Sequence, residues 1–289
     1  MEKWKDEDIR QAYKGGFTYV NPLWKGKEVG NVNVLDVNSL YPSIMYTRPM
    51  PFGEGVYFEG QYQDDKVYPL YIQMITCSFE LKPNKIPTIQ IKNSPFFNGN
   101  EYLTSSKSKD GDIETLVLSS VDLKLFFEHY NVDEDTLKYN GGWKFRSING
   151  LFNEYIDKWV AIKNEGTITK NKGQRAMAKM MMNSLYGKFS ARLEAKSKIP
   201  FLIDDVVHYA PGEKEDKPGV YLPVGIFITS YGREQTIRTS QAITDYSIEK
   251  YGKDLYYYSD TDSVHCGLSI DELKQFCDID DVRLRGMGT

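Results

Sequence analysis

The alternation of apolar and polar positions along the chain predicts a mixture of strands and helices. Runs rich in aromatic and β-branched residues predict strands at 32–37, 71–79 and 86–91, and a hairpin at 256–265. A helical period predicts helices at 121–130, 151–163, 174–189, 233–251 and 270–276. Glycine and proline bracket a charged run at 211–219, which indicates a β-loop. The fold class that follows is α+β.

The composition is that of a soluble protein with enough apolar residues for a large core. The chain has 289 residues, of which 40% are hydrophobic and 26% are charged. No apolar run reaches the roughly 18 residues of a membrane span, and the first residues lack the apolar centre of a signal peptide. The three cysteines have neither the spacing of a zinc site nor that of a disulfide framework. We therefore expect a cytoplasmic protein that does not associate with membranes.

Charge is distributed unevenly along the chain. The formal net charge is −4, yet residues 157–198 contain ten basic residues and three acids, which gives a local charge of +7. A basic patch on an acidic protein indicates a site for a polyanion. On charge alone, a solvated lysine-rich surface explains the segment equally well.

The helix predicted at 174–189 carries polar residues at helical spacing. Residues spaced by 3, 4, 4 and 3 positions share one face of this helix: Lys172, Arg175, Lys179, Asn183 and Tyr186. We expect Met177, Met181 and Leu185 on the opposite, apolar side. An ordinary exposed face mixes acids with bases, and this face has no acid. A row of cations followed by an amide and a phenol matches a triphosphate with a base near its far end.

Three acids are candidates for metal binding. Asp260 and Asp262 lie at the tip of the predicted hairpin, and Asp36 ends the strand at 32–37. If the two segments are neighbours, the acids can hold two Mg²⁺ ions roughly 3.5–4 Å apart. Without that convergence, Asp-Thr-Asp is an ordinary polar turn and Asp36 a capping residue. Tyr41, close behind Asp36, would then lie against an incoming sugar and leave no space for a 2′-hydroxyl.

Two further stretches suit contact with a phosphate backbone. Gly15 and Gly16 follow Tyr13 and allow close approach of another backbone, although a simple turn explains them as well. Thr229 and Arg233 are four residues apart at the predicted start of the helix at 233–251. A hydroxyl, a guanidinium and backbone N–H groups at a helix start can meet phosphates.

Five motifs in chain order resemble those of the family B DNA polymerases, in particular their protein-primed phage branch. Asp36-Val-Asn-Ser-Leu-Tyr-Pro-Ser43 and Tyr258-Ser-Asp-Thr-Asp-Ser263 resemble the two palm motifs of that family. Lys179-Met-Met-Met-Asn-Ser-Leu-Tyr-Gly187 resembles the fingers motif. Tyr13-x-Gly-Gly16 and Thr229-x-x-Gly-Arg233 are similar to its motifs for the DNA backbone.

The resemblance implies a polymerase palm, an antiparallel sheet with helices on one face, together with two-helix fingers and two β-rich insertions. The palm would comprise residues 1–47 and 223–289. The first insertion would span 48–150, the fingers 151–190 and the second insertion, a β-loop, 191–222. These are predicted boundaries.

The resemblance also implies roles for single residues. Asp36 and Asp262 would be the main metal ligands, assisted by Asp260 and the Val37 carbonyl. Nucleotide would be bound by a second group: Leu40, Tyr41, Lys163, Arg175, Lys179, Asn183 and Tyr186. DNA would be bound by a third: Tyr13, Gly15, Gly16, Ser39, Gly187, Thr229 and Arg233. Arg175 stands where relatives often carry lysine.

The implied activity is template-directed transfer of a deoxynucleotidyl group from a dNTP to a primer 3′-hydroxyl, with two Mg²⁺ ions that Mn²⁺ can replace. The sequence lacks the family's exonuclease region and its thumb, so we expect a polymerase core without proofreading. Partners would be template-primer DNA, dNTPs, a terminal priming protein and a separate polypeptide supplying exonuclease or thumb. The alternatives are a catalytically defective remnant that only binds DNA or a priming protein, and a two-metal nuclease. The nuclease leaves Tyr41 and the cationic helix unexplained.

Overall fold

The structure is a computed structural model, and it describes residues 8–90, 102–106, 113–192, 194–216, 219–276 and 282–286. The helices are α1 (Leu40–Thr47), α2 (Ser120–His129), α3 (Asn153–Ile168), α4 (Lys172–Phe189), α5 (Leu222–Tyr251) and α6 (Ile270–Leu273). The first strands are β1 (Thr18–Val20), β2 (Asn33–Val37), β3 (Met50–Phe58), β4 (Leu70–Cys77), β5 (Phe79–Leu81), β6 (Glu114–Ser119) and β7 (Tyr130–Val132). The later strands are β8 (Lys138–Ile148), β9 (Glu194–Ile203), β10 (Val206–Asp216), β11 (Tyr256–Asp260), β12 (Ser263–Cys266) and β13 (Val282–Gly286).

A five-stranded antiparallel sheet in the order β1-β11-β12-β2-β13 carries the candidate acids. One face of this sheet packs on helix α5, where Leu35 and Val264 meet Ile237 and Ile243 in a shared apolar cluster. Because side chains alternate along a strand, the residues next to these apolar ones point to the other face. That second face is available for chemistry.

A second antiparallel sheet, in the order β3-β8-β4-β6, forms most of the region between α1 and α3. Strand β4 is central, and its alternating residues Ile72 and Ile75 are fully buried in two different apolar clusters. Residues 86–90, the described part of the strand predicted at 86–91, do not form a strand. Within the described residues this segment makes only an isolated bridge between Gln90 and Tyr102.

Helices α3 and α4 are the two long helices that follow this sheet, as the helical period predicted. They are joined by a short turn, in which the Asn171 side chain accepts a hydrogen bond from the Gln174 backbone N–H at 3.1 Å and so caps α4. Gly166 permits their close packing, since a Cβ there would lie 2.9 Å from the Arg175 backbone nitrogen. Strands β9 and β10 form the expected β-loop as one antiparallel hairpin.

One predicted helix start is wrong. Helix α5 begins at Leu222 rather than near 233, and its residues from 222 to 233 are all buried. The run Val224–Ile228 has no polar face, and such a helix is stable only in a protein interior.

No helix among the described residues has both the length and the apolar character needed to cross a lipid bilayer. The bounds of the five segments given above stay a prediction.

Candidate active site

Strand register brings Asp36 and Asp260 into one row of the five-stranded sheet, and Asp262 lies in the adjoining turn. Ser263 on β12 is the partner of Asp36 on β2 and also of Asp260 on β11, which in turn is paired with Thr18 on β1. Directly paired residues point to the same face of a sheet. This row lies on the face opposite the apolar cluster that contains Leu35.

Backbone and hydroxyl contacts hold the tip of the β11–β12 hairpin against strands β1 and β2. The Val37 N–H donates to the Asp262 carbonyl oxygen at 2.8 Å, which ties the tip to the end of β2. The Asp260 Oδ1 atom accepts hydrogen bonds from the hydroxyls of Thr18 and Thr261, each at 3.2 Å. The side chain of Asp260 is therefore oriented from both sides while it remains exposed.

The electrostatic surroundings of Asp262 include the other two acids and one cation. Partial burial raises the pKa of the Asp262 carboxyl, and the negative charges of Asp36 and Asp260 raise this pKa further. The positive charge of Lys179 acts in the opposite direction. The acidic row and the cationic face of α4 are thus close enough to influence each other, as expected of two walls of one cleft.

The donor set suits a divalent cation that is shared with a substrate. Among the residues that the structure describes, no three His, Cys, Asp or Glu side chains already converge as a preformed metal cage. Mg²⁺ does not need one, because it commonly takes one or two carboxylates together with substrate phosphates and water. Asp36 and Asp262, with their mutual repulsion, fit that kind of site.

Helix α4 presents its polar stripe to solvent, but its buried side is not the predicted one. Lys172, Arg175, Lys179 and Asn183 are exposed, and Tyr186 is half-buried. Of the expected apolar stripe, Leu185 packs against the main core cluster, but Met177 is 47% exposed and Met181 is only partly buried. The side that faces the protein is instead formed by Ala178, Met182, Leu185 and Phe189.

Tyr41 lies at the junction of helices α1, α4 and α5. Its ring is 4.4 Å from the ring of Tyr186, centroid to centroid. A Cβ at position 232 would be only 3.1 Å from the Tyr41 Cε1 atom, so Gly232 makes the space that this ring occupies. Burial, and secondarily Tyr186, raises the pKa of the Tyr41 phenol, which therefore stays neutral. Tyr41 is a fixed, half-buried wall of the cleft.

The remaining predicted nucleotide and DNA residues differ in accessibility. The Leu40 side chain is buried in the core, so only its backbone is available to a ligand. Ser39 has a positive φ of 53° and makes no side-chain cap to α1. Lys163 on α3 is partly exposed, and Gly187 near the end of α4 is exposed.

The segment that contains Tyr13, Gly15 and Gly16 lies beside the hairpin tip. Tyr13 is half-buried against the main core cluster. Gly16 contacts Thr261, the residue between the two hairpin acids.

Thr229 and Arg233 require a correction. Both lie well inside α5 and are buried, with 1% and 2% of their surface exposed, so the predicted direct contact with a DNA backbone does not fit this structure. The Thr229 hydroxyl donates to carbonyl oxygens of its own helix, at Gly225 and Ile226. The misplaced helix start caused this error.

Arg233 instead joins residues 13–16, the glycine segment, to helix α2. Its Nη1 atom donates to the carbonyl oxygens of Lys14 and Gly15, both at 2.8 Å. Its Nη2 atom forms a 2.6 Å ion pair with the carboxylate of Asp122, which also accepts hydrogen bonds from Ser119 and Ser230.

Sequence reasoning missed the role of Asp122, which falls in the helix predicted at 121–130. It does lie in the first turn of α2, where Ser119 is the cap, but its burial was not visible in the local pattern. Burial alone would raise the pKa of Asp122. The charge of Arg233 and the hydrogen bonds from Arg233, Ser230 and Ser119 hold this pKa below its usual value.

A family model described as DNA polymerase type B, organellar and viral, matches residues 1–275. The chain belongs to the type B DNA polymerases. It is 48% identical over 263 residues to the DNA polymerase of Bacillus phage phi29, and 32% identical over 240 residues to that of Streptococcus phage Cp-1. These alignments cover 90% and 81% of this chain.

Solved structures of relatives agree with the fold of this type B chain. Phi29 DNA polymerase complexed with primer-template DNA and incoming nucleotide substrates matches with a TM-score of 0.80 at 45% identity. That match covers 95% of this chain and 46% of the solved one. The chain thus spans less than half the length of the relatives it matches, 42% for the phage phi29 polymerase and 39% for that of phage Cp-1.

The buried ion pair predicts a large loss of stability when one partner is removed. Asp122→Ala leaves Arg233 charged and unpaired inside this type B polymerase chain, which should lower the free energy of unfolding by about 3–5 kcal/mol in urea titrations. Asp271→Ala, which removes an exposed pair with Lys274, should change it by less than about 1 kcal/mol.

At acid pH, the free energies of unfolding of wild type and Asp122→Ala should differ less than they do at neutral pH. The folded-state pKa of Asp122 is lowered, so its contribution is complete above the unfolded value of about 3.9 and is lost as the pH falls through the folded-state pKa. If Asp122→Ala lowered the free energy of unfolding at neutral pH as little as Asp271→Ala does, the structural role of the pair of Asp122 and Arg233 would be contradicted.

Partial burial and the charges of the neighbouring acids predict the opposite effect at Asp262. Because the folded-state pKa of this carboxyl is raised, ionisation destabilises the metal-free fold at neutral pH, and this destabilisation disappears below about pH 3.9. Asp262→Asn should therefore raise the Tm at pH 7 in EDTA by a few degrees, with little change at pH 3. Asp64→Asn, at an exposed position, is the control and should leave the Tm unchanged. An unchanged or lower Tm for Asp262→Asn would contradict a raised folded-state pKa of this carboxyl.

Proposed function

We propose that this chain is the core of a template-directed DNA polymerase that transfers a deoxynucleotidyl group from a dNTP to a primer 3′-hydroxyl. The observation that carries the proposal is the surroundings of Asp262, where the charges of Asp36 and Asp260 meet that of Lys179 on α4. A cleft with acids on one wall and cations on the other suits a reaction between a metal-activated hydroxyl and a triphosphate.

Asp36, Asp262 and the carbonyl of Val37 would hold two divalent cations, Mg²⁺ or Mn²⁺, with Asp260 in support. When bound, the cations supply a lower pKa for the attacking hydroxyl and neutralise the pyrophosphate leaving group. The protein's own contribution is to fix the carboxylates. Strand register fixes Asp36 and Asp260, and the Val37 N–H bond fixes the backbone at Asp262.

The triphosphate would lie along α4. Lys179 and Arg175 project from the exposed polar stripe, and Lys163 would approach from the neighbouring helix α3. Positive side chains in this row stabilise the charge that develops on the phosphates and hold the α-phosphate in line for attack. The Leu40 backbone N–H would add a contact from the start of α1.

The nascent base pair would rest against Tyr41, Tyr186 and Asn183. Tyr41 is held in place by Tyr186 and Gly232, so its ring cannot move aside for a 2′-hydroxyl. This arrangement favours deoxynucleotides.

Template-primer DNA would run past two exposed or half-exposed surfaces. Tyr13, Gly15 and Gly16 line one of these surfaces, and Ser39 and Gly187 line the other. The phi29 relative has been solved with primer-template DNA and incoming nucleotide, which supports DNA and dNTPs as the partners of this chain. A terminal priming protein, and a separate polypeptide that supplies exonuclease or thumb, remain predicted partners.

Primer extension tests the proposed function. With Mg²⁺, a primed template and dNTPs, the wild-type chain should extend the primer, and Asp262→Ala should reduce the rate at least about 10²-fold. Asp271→Ala, at an exposed site far along the chain, is the matched control. Equal rates for wild type and Asp262→Ala would show that the acidic residues do not catalyse primer extension. DNA binding in a gel shift without any incorporation would instead favour the alternative, a catalytically defective chain that only binds.

Sugar discrimination tests Tyr41. Tyr41→Val opens the space beside the sugar, so incorporation of ribonucleotides relative to deoxynucleotides should rise at least about tenfold. Tyr46→Val on the same helix is the control, because the Tyr46 ring is 40% exposed and faces away from the core. An unchanged ratio for Tyr41→Val would refute the role of this ring as the barrier to a 2′-hydroxyl.

A further inference from the structure

The turn between the two hairpin acids has an unfavourable backbone conformation. Thr261 lies between Asp260 and Asp262 and has a φ of 55°, in the left-handed region. A β-branched residue rarely adopts this region, because its side chain then crowds the backbone. Such a conformation persists only where the surrounding structure enforces it. The contacts of Thr261 should therefore reveal what holds the acids in place.

Two remote segments bind both polar groups of the Thr261 backbone. The Thr261 N–H donates to the Phe17 carbonyl oxygen at 2.8 Å. The Thr261 carbonyl oxygen accepts a hydrogen bond from the Thr236 hydroxyl at 2.7 Å. Thr236 belongs to helix α5 and is only 3% exposed, so its hydroxyl is fixed by the helix and shielded from water.

Gly16 completes the enclosure of this turn. A Cβ at position 16 would lie 2.6 Å from the Thr261 Oγ1 atom and 2.8 Å from its Cγ2 atom. Real side chains do not come so close, so the Thr261 side chain can occupy this place only because residue 16 is glycine. The Thr261 hydroxyl in turn donates to Asp260 Oδ1.

We propose that Thr236 is a positioning residue for the metal-binding acids, which acts by fixing the Thr261 peptide in its left-handed conformation together with Gly16. Because Asp260 and Asp262 flank Thr261, a change in the Thr261 backbone dihedral angles would change the relative orientation of the two acids. The inference rests on the proposed function, in which these acids hold the cations. It adds a residue on the far side of the hairpin that touches neither substrate nor metal.

Binding of Mn²⁺ alone to the full chain, followed by electron paramagnetic resonance of free Mn²⁺, tests the proposal without requiring catalysis. Thr236→Val keeps the shape of the side chain and removes the donor, so the dissociation constant for Mn²⁺ should rise about tenfold. Thr236→Ser restores a hydroxyl and should return the constant to within about twofold of wild type.

Thr239→Val is the matched control. It removes the same atoms one turn further along α5, from a hydroxyl that bonds to the Gln235 carbonyl of its own helix. Hydrogen exchange gives the second readout. The Thr261 amide should exchange faster in Thr236→Val, and it should be unchanged in Thr239→Val. Gly16→Ala should reproduce both effects if Thr236→Val does not fold.

The outcomes separate this inference from the proposed function. If Asp262→Ala binds Mn²⁺ as tightly as wild type, the acids are not the metal site and the proposed function fails. If Asp262→Ala loses Mn²⁺ but Thr236→Val and Gly16→Ala both bind it within about twofold of wild type, Thr236 is not a positioning residue. If Thr236→Val binds Mn²⁺ more weakly than wild type and Thr236→Ser binds it just as weakly, the role of the hydroxyl is overturned.

Discussion

The register of strand β12 between β11 and β2 is the constraint on which the rest of the site depends. Ser263 stands opposite Asp260 on one side and Asp36 on the other. A slip by one residue would turn Asp36 toward the face where Leu35 and Val264 are buried, and would place a charge in the core. The apolar contacts of that face with α5 therefore specify the acidic row on the opposite one.

Helix α5 connects the sheet, whose register places the acids, to the other parts of the cleft. Gly225 allows it to pack closely on the end of α4, and Gly232 allows it to pack on Tyr41. Its Arg233 holds the carbonyl groups of the glycine segment, and its Thr236 holds the hairpin tip. One buried helix thus sets the relative positions of the acids, the tyrosine wall and the cationic helix. Small residues allow the close helix crossings, and polar residues hold the turns, so both kinds contribute to this arrangement.

The site departs from the most stable arrangement of its own residues. Neighbouring acids raise the pKa of Asp262, and Thr261 occupies a backbone region that threonine disfavours. Both features are intelligible if cations and triphosphate are the intended occupants, because bound positive charge removes the repulsion. Favourable interactions in the interior compensate for these two costs. There, Asp122 and Arg233 form an ion pair and make hydrogen bonds with nearby hydroxyl and carbonyl groups.

The sequence by itself determined the hairpin, the three acids and the polar stripe of α4, because these follow from short-range patterns of strand, turn and helical period. Tertiary structure decided which side of α4 is buried, where α5 begins, and that Thr229, Arg233 and Asp122 are interior residues. These properties depend on which distant segments pack together. An arginine that binds DNA and one that binds a buried carboxylate look the same in a motif. They are distinguished only by the neighbours that remove water from the buried one.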